Sequence, residues 1–308
     1  MSLADISWIW IPITIWAAFA QTIRNAAQRS LVGGLGTLGA TLVRFLYGLP
    51  FAALWLAIVL LGSGQAMPLP NLGFAGWVTL GAVSQIAATA LLLRAMAERN
   101  FALGVAYSKT EIIQVAIFGA VLLGDPVTLP AVLAILVATL GVVMVSAPAG
   151  QLSAKSLLTG LSSRPALLGI ASGAMFAFSA VGYRGAALAI APDAPVLSAA
   201  ATLFWAQSIQ SVLLLAYLAV RDRPVILAVL KAWRVSLLAG LMGAAASAGW
   251  FTAMALEPVA NVRTLGLAEL LFSLIVSQRV FREKLTMREF IGLFLVLVGL
   301  VTIVQAAV

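Results

Sequence analysis

Long apolar runs, each closed by a short cluster of polar or turn-forming residues, follow one another along this chain. About ten can be marked, at residues 7–27, 36–61, 74–97, 101–123, 128–147, 166–190, 195–220, 235–256, 259–281 and 287–306. The breaks carry Gly33-Gly34, Met67-Pro68-Leu69-Pro70, Asn100, Asp125-Pro126, Pro192, Arg221-Asp222-Arg223-Pro224 and Glu257-Pro258, residue types that favour turns. A helix crosses a bilayer with roughly 20 apolar residues. Barrel strands would alternate with period two, and these runs do not. The pattern predicts an all-α integral membrane protein with about ten transmembrane helices, because a spanning segment must satisfy its backbone internally. The longest polar connection, over 148–165, contains Pro148, Gly150, Ser153, Lys155, Ser162, Ser163 and Arg164. It divides the chain into a first five-helix half (1–150), a linker (151–165) and a second five-helix half (166–308).

The halves resemble each other. At an offset of 158 residues Glu111 falls on Glu269, Met96-Ala97 on Met254-Ala255, Thr128 on Thr286 and Gly141 on Gly299. At an offset of 160, Trp16 falls on Phe176, Arg24 on Arg184 and Ala26-Ala27 on Ala186-Ala187. Five spans per half is an odd number, so the second half enters the membrane from the opposite side. Inverted repeats of this kind place a binding site near the midplane, between halves that can rock against each other. Glu111 and Glu269 lie deep in apolar runs, where an ionisable group is costly and marks a functional site by default.

Composition removes whole classes. With 63% hydrophobic and 9% charged residues and a mean hydropathy of +1.10, the chain lacks the polar residues to cover a soluble surface. It has no Cys and no His, which argues against disulfides, a zinc site and His-based catalysis, and no cofactor or metal is expected. The Gly-rich phosphate loop ending in Gly-Lys-Ser/Thr is missing, so ATP-driven transport by this chain alone is not expected. No enzyme is expected either: serines without His, and two carboxylates at membrane depth, offer little for acid–base chemistry.

The net charge of +8 points to membrane topology rather than to nucleic acid. Connections after the odd-numbered spans hold Arg24 and Arg29; Arg94 and Arg99; Lys155 and Arg164; Arg221, Arg223, Lys231 and Arg234; and Arg279, Arg282, Lys284 and Arg288. Those after the even spans hold little beyond Arg184 and Arg263. Positive loops stay inside, which places the odd connections in the cytoplasm and both termini outside. The segment Met1-Ser2-Leu3-Ala4-Asp5 has an acid and no Lys or Arg, so the first apolar run is expected to be retained rather than cleaved as a signal peptide.

Several places taken together carry a family resemblance. Leu123-Gly124-Asp125 and Phe281-Arg282-Glu283 close the fourth apolar run of each half, Glu111 and Glu269 stand upstream of them, and Arg44-Phe45 lies in the second run. The chain resembles the ten-span EamA-type exporters of the drug/metabolite transporter superfamily, among them aromatic-amino-acid and threonine/homoserine exporters. The resemblance implies two inverted five-helix repeats around a cavity lined by spans one, three, four, six, eight and nine. It implies secondary or facilitative export of small metabolites by alternating access, most of all amino acids, in a bacterial inner membrane. Two features depart from the family. Ile112 and Leu270 stand where a Pro often follows the Glu, so spans four and nine need not kink. The family also keeps its termini in the cytoplasm, against the charge bias here.

Helical periodicity picks out one face on each lining span. These faces hold Trp10, Thr14, Ala17, Gln21 and Arg24; Trp77, Gly81, Ser84, Gln85 and Ala88; and Gly104, Tyr107, Ser108, Glu111 and Gln114. On the second half they hold Ser172, Phe176, Ser179 and Tyr183; Gly243, Ser247, Trp250 and Met254; and Gly266, Glu269 and Ser273. Glu111 and Glu269 are candidates for binding a substrate ammonium or a proton, since burial raises a carboxyl pKa toward neutrality; alternatively they pair with arginines as structural groups. Gln21, Gln85, Gln114 and Ser108 could hydrogen-bond a substrate. Tyr107, Phe176, Trp250 and Tyr183 read either as packing or as an aromatic lining for a cation or a planar group. The Gly/Ser faces read equally as close helix contacts. Arg44, Arg184 and Arg263 are candidate partners for the glutamates. Lys109 lies two residues from Glu111 and so off its helical face, to meet another helix or to snorkel. Trp8, Trp10, Trp55 and Trp77 fall near span ends, where interfacial anchors are expected. The expected partners are a small-molecule substrate, protons and membrane lipid. Organic cations, or other small metabolites such as lipid-like or sugar-like compounds, are the alternative substrates, and a non-transporting receptor or lipid-modifying scaffold is the alternative from another class.

Overall fold

The structure, a computed structural model, describes residues 8–98, 101–146, 163–280, 282 and 287–307. The described helices are α1 (Trp10–Leu46), α2 (Leu49–Ser63), α3 (Leu72–Glu98), α4 (Phe101–Ser108), α5 (Glu111–Leu123), α6 (Leu129–Ser146), α7 (Arg164–Ile190), α8 (Pro195–Arg221), α9 (Arg223–Lys231), α10 (Trp233–Leu256), α11 (Val259–Leu265), α12 (Ala268–Arg279) and α13 (Met287–Ala307). Among the described residues, six helical stretches are long and apolar enough to cross a membrane. One of them, Trp10–Ser63, holds 54 residues, about twice what one crossing needs. Most of the linker 151–165, together with Arg99, Asn100, Phe281 and Glu283, lies outside the described residues.

Glycine geometry places the first turn. Gly36 has φ 65° and ψ 174° inside α1, a region open essentially to glycine alone. Gln28 Nε2 donates to Ala40 O at 2.7 Å, and twelve residues of straight helix would hold those positions about 18 Å apart. The chain therefore reverses at Gly36. The sequence pattern had put this turn at Gly33-Gly34 and ended the first span at residue 27; both glycines instead remain helical. Later boundaries follow ordinary capping. Gly64 and Gly124 end α2 and α5 in the left-handed conformation. Asn71 Oδ1 accepts from Phe74 N at 2.8 Å, and Thr128 Oγ1 from Ala131 N at 3.4 Å, at the starts of α3 and α6.

Packing is reciprocal between the halves. The most extensive pairings are α3 with α7, α1 with α10, and α6 with α13. Under the repeat, span one corresponds to span six and span three to span eight, so the first two pairings are images of each other and the third is its own image. Such reciprocal pairings are what the repeat expected from the sequence would give. One end of the bundle gathers Leu35 to Gly39, Arg94, Arg221 and Asp222 around a cavity of about 400 Å³. At the other end Asn71 Nδ2 donates to Ala189 O at 2.7 Å. Outward faces carry large apolar side chains, such as Leu54, Ile58 and Leu61 on α2 and Leu133, Leu136 and Leu140 on α6, as suits a lipid surround. Trp8 is exposed, but Trp10 is buried at 1%, so it packs inside and is not an interfacial anchor.

Spans four and nine are both broken. The breaks run between α4 and α5 at Lys109-Thr110, and between α11 and α12 at Gly266-Leu267. Both are tightened turns: Ile112 N donates to Lys109 O at 3.3 Å, Glu269 N to Gly266 O at 3.0 Å and Leu270 N to Leu267 O at 2.8 Å, an i to i−3 pattern. The missing prolines had removed the reason to expect a kink, yet the spans break without them. A neighbouring helix makes room for the first turn. A Cβ on Gly173 of α7 would meet Ser108 O at 2.6 Å and Glu111 N at 3.1 Å.

Candidate functional site

The two breaks face each other at the centre of the bundle, and charged side chains converge there. Glu269 is 1% exposed and accepts three hydrogen bonds. Gln21 Nε2 donates at 2.6 Å and Asn25 Nδ2 at 2.8 Å, both from α1, and Lys109 Nζ donates to the same oxygen as Gln21. Lys109 Nζ also lies 3.9 Å from Glu111 Oε1, while Arg263 Nη2 donates to Glu111 Oε2 at 3.4 Å. The repeat-related glutamates are thus joined through one lysine. Lys109 can do this because the turn at 109–110 abolishes the regular helical phase that had seemed to aim it away from Glu111. The pairing crosses the repeat: a cation from span nine meets the carboxylate of span four, and a cation from span four meets the carboxylate of span nine.

Further groups extend the network. Arg24, fully buried, donates from Nε and Nη2 to Asn25 Oδ1 at 3.2 and 2.6 Å. That makes a relay from Arg24 through Asn25 to Glu269. Trp250 Nε1 donates to Gln21 Oε1 at 2.9 Å, which holds Gln21 with its amide N–H toward the carboxylate. The Arg263 guanidinium lies 4.9 Å from the Trp250 ring centre and 5.9 Å from that of Phe176. The aromatic slot therefore holds a cation, and the cation is the protein's own arginine. Glu111, Glu269, Lys109 and Arg263 are all at most 7% exposed, so this conformation is closed around the centre.

The remaining candidates lie outside that network. Arg44 donates from Nη1 to Thr89 Oγ1 at 2.9 Å and from Nη2 to Ser247 Oγ at 3.5 Å, and meets neither glutamate directly. Arg184 is committed elsewhere: its Nε donates to Asp125 Oδ1 at 3.0 Å, and its Nη1 to the carbonyls of Met254 and, at 2.7 Å, Glu257. Gln85 belongs to a second polar node, in which Tyr183 Oη and Gln210 Nε2 donate to Gln85 Oε1 at 3.0 and 2.9 Å. The Tyr183 ring also packs on Phe251 with centroids 4.1 Å apart. Tyr107 is buried against Gly169, Ser108 Oγ donates to Val105 O within its own helix, and Gln114 Oε1 is buried with no hydrogen bond. Gly81 and Gly243 serve close packing, under Tyr183 and against the stems of Arg44 and Arg24 respectively.

Sequence reasoning missed Asn25, Gln210 and Asp125. It placed Arg24 both on the inward face of span one and among the cytoplasmic charges; Arg24 is buried inside the bundle, so the second placement does not hold. One signal was available: Gln21, Arg24, Asn25 and Gln28 recur at three- and four-residue spacing, a polar stripe on an apolar helix. Among the described residues no group of His, Cys, Asp and Glu has metal-ligating geometry.

No curated protein matches the chain. A solved structure described only as "Crystal structure of protein" superposes with a TM-score of 0.68, at 17% identity, over 97% of this chain and 96% of that one; this is a likeness of fold. Residues 163–305 match the EamA-like transporter family. An all-helical membrane fold and a buried charged centre between two broken spans stand beside this match, in which the second half of this integral membrane protein, residues 163–305, is similar to the EamA-like transporter family.

Proposed function

We propose that the chain is a secondary or facilitative exporter of small metabolites, with amino acids as the leading class, working by alternating access in a bacterial inner membrane. The observation that carries this reading is the lysine bridge between Glu111 and Glu269, where the broken spans meet. Ionisable groups at membrane depth mark substrate and ion pathways, and broken helices facing each other across a pseudo-twofold axis are where such pathways bind. The family match over 163–305 supports transport of a small molecule.

In the proposed cycle the two halves rock about the centre. Glu111, whose partners are the more distant, exchanges Arg263 or Lys109 for a substrate ammonium or a proton. Gln21, Gln85 and Gln114 offer hydrogen bonds to the solute. Phe176, Trp250 and Tyr107 contact its apolar part once the cavity opens. Counterflow in proteoliposomes tests the reading: trace labelled amino acids are taken up against an unlabelled panel by the wild type and by the Glu111→Gln, Glu269→Gln protein. Saturable uptake that the double variant loses is the expected result. Equal uptake by a folded double variant would remove the glutamates from the mechanism, and no uptake across amino acids and other metabolites would remove transport itself.

A further inference from the structure

The buried centre is not electrically balanced. Among the described residues, four cations, Arg24, Arg44, Lys109 and Arg263, are buried in and beside it with two carboxylates, Glu111 and Glu269. Lys109 and Arg263 take up both carboxylates. Arg24 and Arg44 are left with neutral acceptors alone, Asn25 for the first and the hydroxyls of Thr89 and Ser247 for the second. Their stems lie side by side, for a Cβ on Gly243 would sit 3.2 Å from Arg44 Cγ and 3.4 Å from Arg24 Cδ. Nη1 of Arg24 and Nε of Arg44 are both buried without an acceptor. Near the Arg44 backbone carbonyl and Gly48, buried Gln207 leaves both amide atoms unpaired.

An unpaired buried cation is strongly destabilising, and two adjacent ones add mutual repulsion. A guanidinium offers five donors in a rigid fork suited to a planar or tetrahedral oxyanion. We propose that Arg24 and Arg44 form an oxyanion subsite of the transport pathway, and that the substrate is a small organic solute bearing a carboxylate or a phosphate group. The inference rests on the transporter reading and narrows it from small metabolites to acids. An amino acid would place its carboxylate between the two arginines and its ammonium toward Glu111. An organic cation without an acid group would enter a centre that already carries two excess positive charges.

The test uses the whole protein in detergent, read by tryptophan fluorescence and thermal unfolding. It is titrated with succinate, with inorganic phosphate, and with succinamide and 1,4-diaminobutane as probes of similar reach without an oxyanion. Succinate or phosphate is expected to give a saturable shift and to raise the unfolding temperature, and the two controls to give neither. A response to succinate alone marks a carboxylate site, and to phosphate alone a phosphate site. Arg24→Gln and Arg44→Gln are each expected to weaken acid binding at least ~10-fold, as befits loss of charge-assisted hydrogen bonds. Both are expected to unfold at or above the wild-type temperature, because each removes an unbalanced buried charge. Arg44→Lys keeps the charge without the fork and should fall between.

Wild-type acid affinity in the Gln variants, equal response to the controls, or no response to either acid overturns the subsite. Counterflow of the same solutes separates this from the parent reading. Uptake of diaminobutane but of neither acid removes the subsite and leaves a transporter. Acid binding that Arg24→Gln abolishes, without counterflow of any solute, leaves the subsite and removes transport.

Discussion

Glu269 shows how a charge is kept inside an apolar bundle. It accepts from an amide on each of Gln21 and Asn25 and from Lys109, so the carboxylate is solvated by protein groups in place of water. Removing Glu269 leaves buried Lys109 with only the more distant Glu111, 3.9 Å away, a cost of up to about 3–5 kcal/mol, whereas replacing both members of the pair together costs much less. Glu269→Gln alone should therefore lower the unfolding temperature in detergent markedly, and Lys109→Met added to it should recover most of the loss. A double variant no more stable than Glu269→Gln would show that the pair is not coupled. The Arg263 slot yields a smaller effect at the same scale. Trp250→Phe keeps a ring beside the guanidinium but deletes the bond to Gln21 Oε1; the expected loss is about 1 kcal/mol, measured by the same unfolding experiment.

At the scale of elements, small residues let helices approach until backbone meets backbone. A Cβ on Gly182 of α7 would lie 2.8 Å from Gly81 N and 3.0 Å from Trp77 O of α3. Backbone cannot swing aside as a side chain can, so the α3–α7 contact would have to separate. Gly182→Val should destabilise by about 1–3 kcal/mol. Gly62→Ala, where a Cβ meets nothing within 4 Å, should leave thermal stability unchanged or slightly raised. Equal behaviour of the two would mean that α3 and α7 are not in contact in the folded protein. The same contact logic positions the site, since Gly173 admits the backbone of the span-four turn from which Lys109 and Glu111 project.

For the whole molecule, the Arg184 node joins the halves at one end of the bundle. Arg184 of α7 reaches Asp125, which follows α5, and Asp125 Oδ2 accepts from Val259 N at 3.4 Å. In the proposed cycle, rocking of one half against the other would break this node on that side. Because the chain has no native cysteine, a Phe176→Cys reporter has no background. Adding Asp125→Asn should speed its labelling by an impermeant maleimide from the side of residues 124–128; an unchanged rate would show that the node does not hold that side closed. Topology is a second global property. Exposed Arg94, Arg164, Arg221, Arg223, Lys231, Arg234, Arg279 and Arg282 remain as loop charges once buried Arg24 is set aside. A reporter fused at Val308 is therefore expected outside the cytoplasm, and a cytoplasmic reporter would overturn the charge argument.

The fold class was legible because apolar runs and their turn residues are local properties. So were Glu111 and Glu269 as candidates, since a charge deep in an apolar run is also a local property. The location of the first turn was not: Gly33, Gly34 and Gly36 are equally permissive, and the contact of Gln28 with Ala40 accompanies the reversal at Gly36 alone. Nor was the partnering of the charges. Helical phase aimed Lys109 away from Glu111, and only the turn packed against Gly173 brings it between the two glutamates. Sequence by itself determined which residues are costly in a membrane, because that cost depends on chemistry and depth. Tertiary structure decided which of them balance one another, because pairing depends on distances between helices far apart in the chain, and it is those distances that leave Arg24 and Arg44 without a carboxylate.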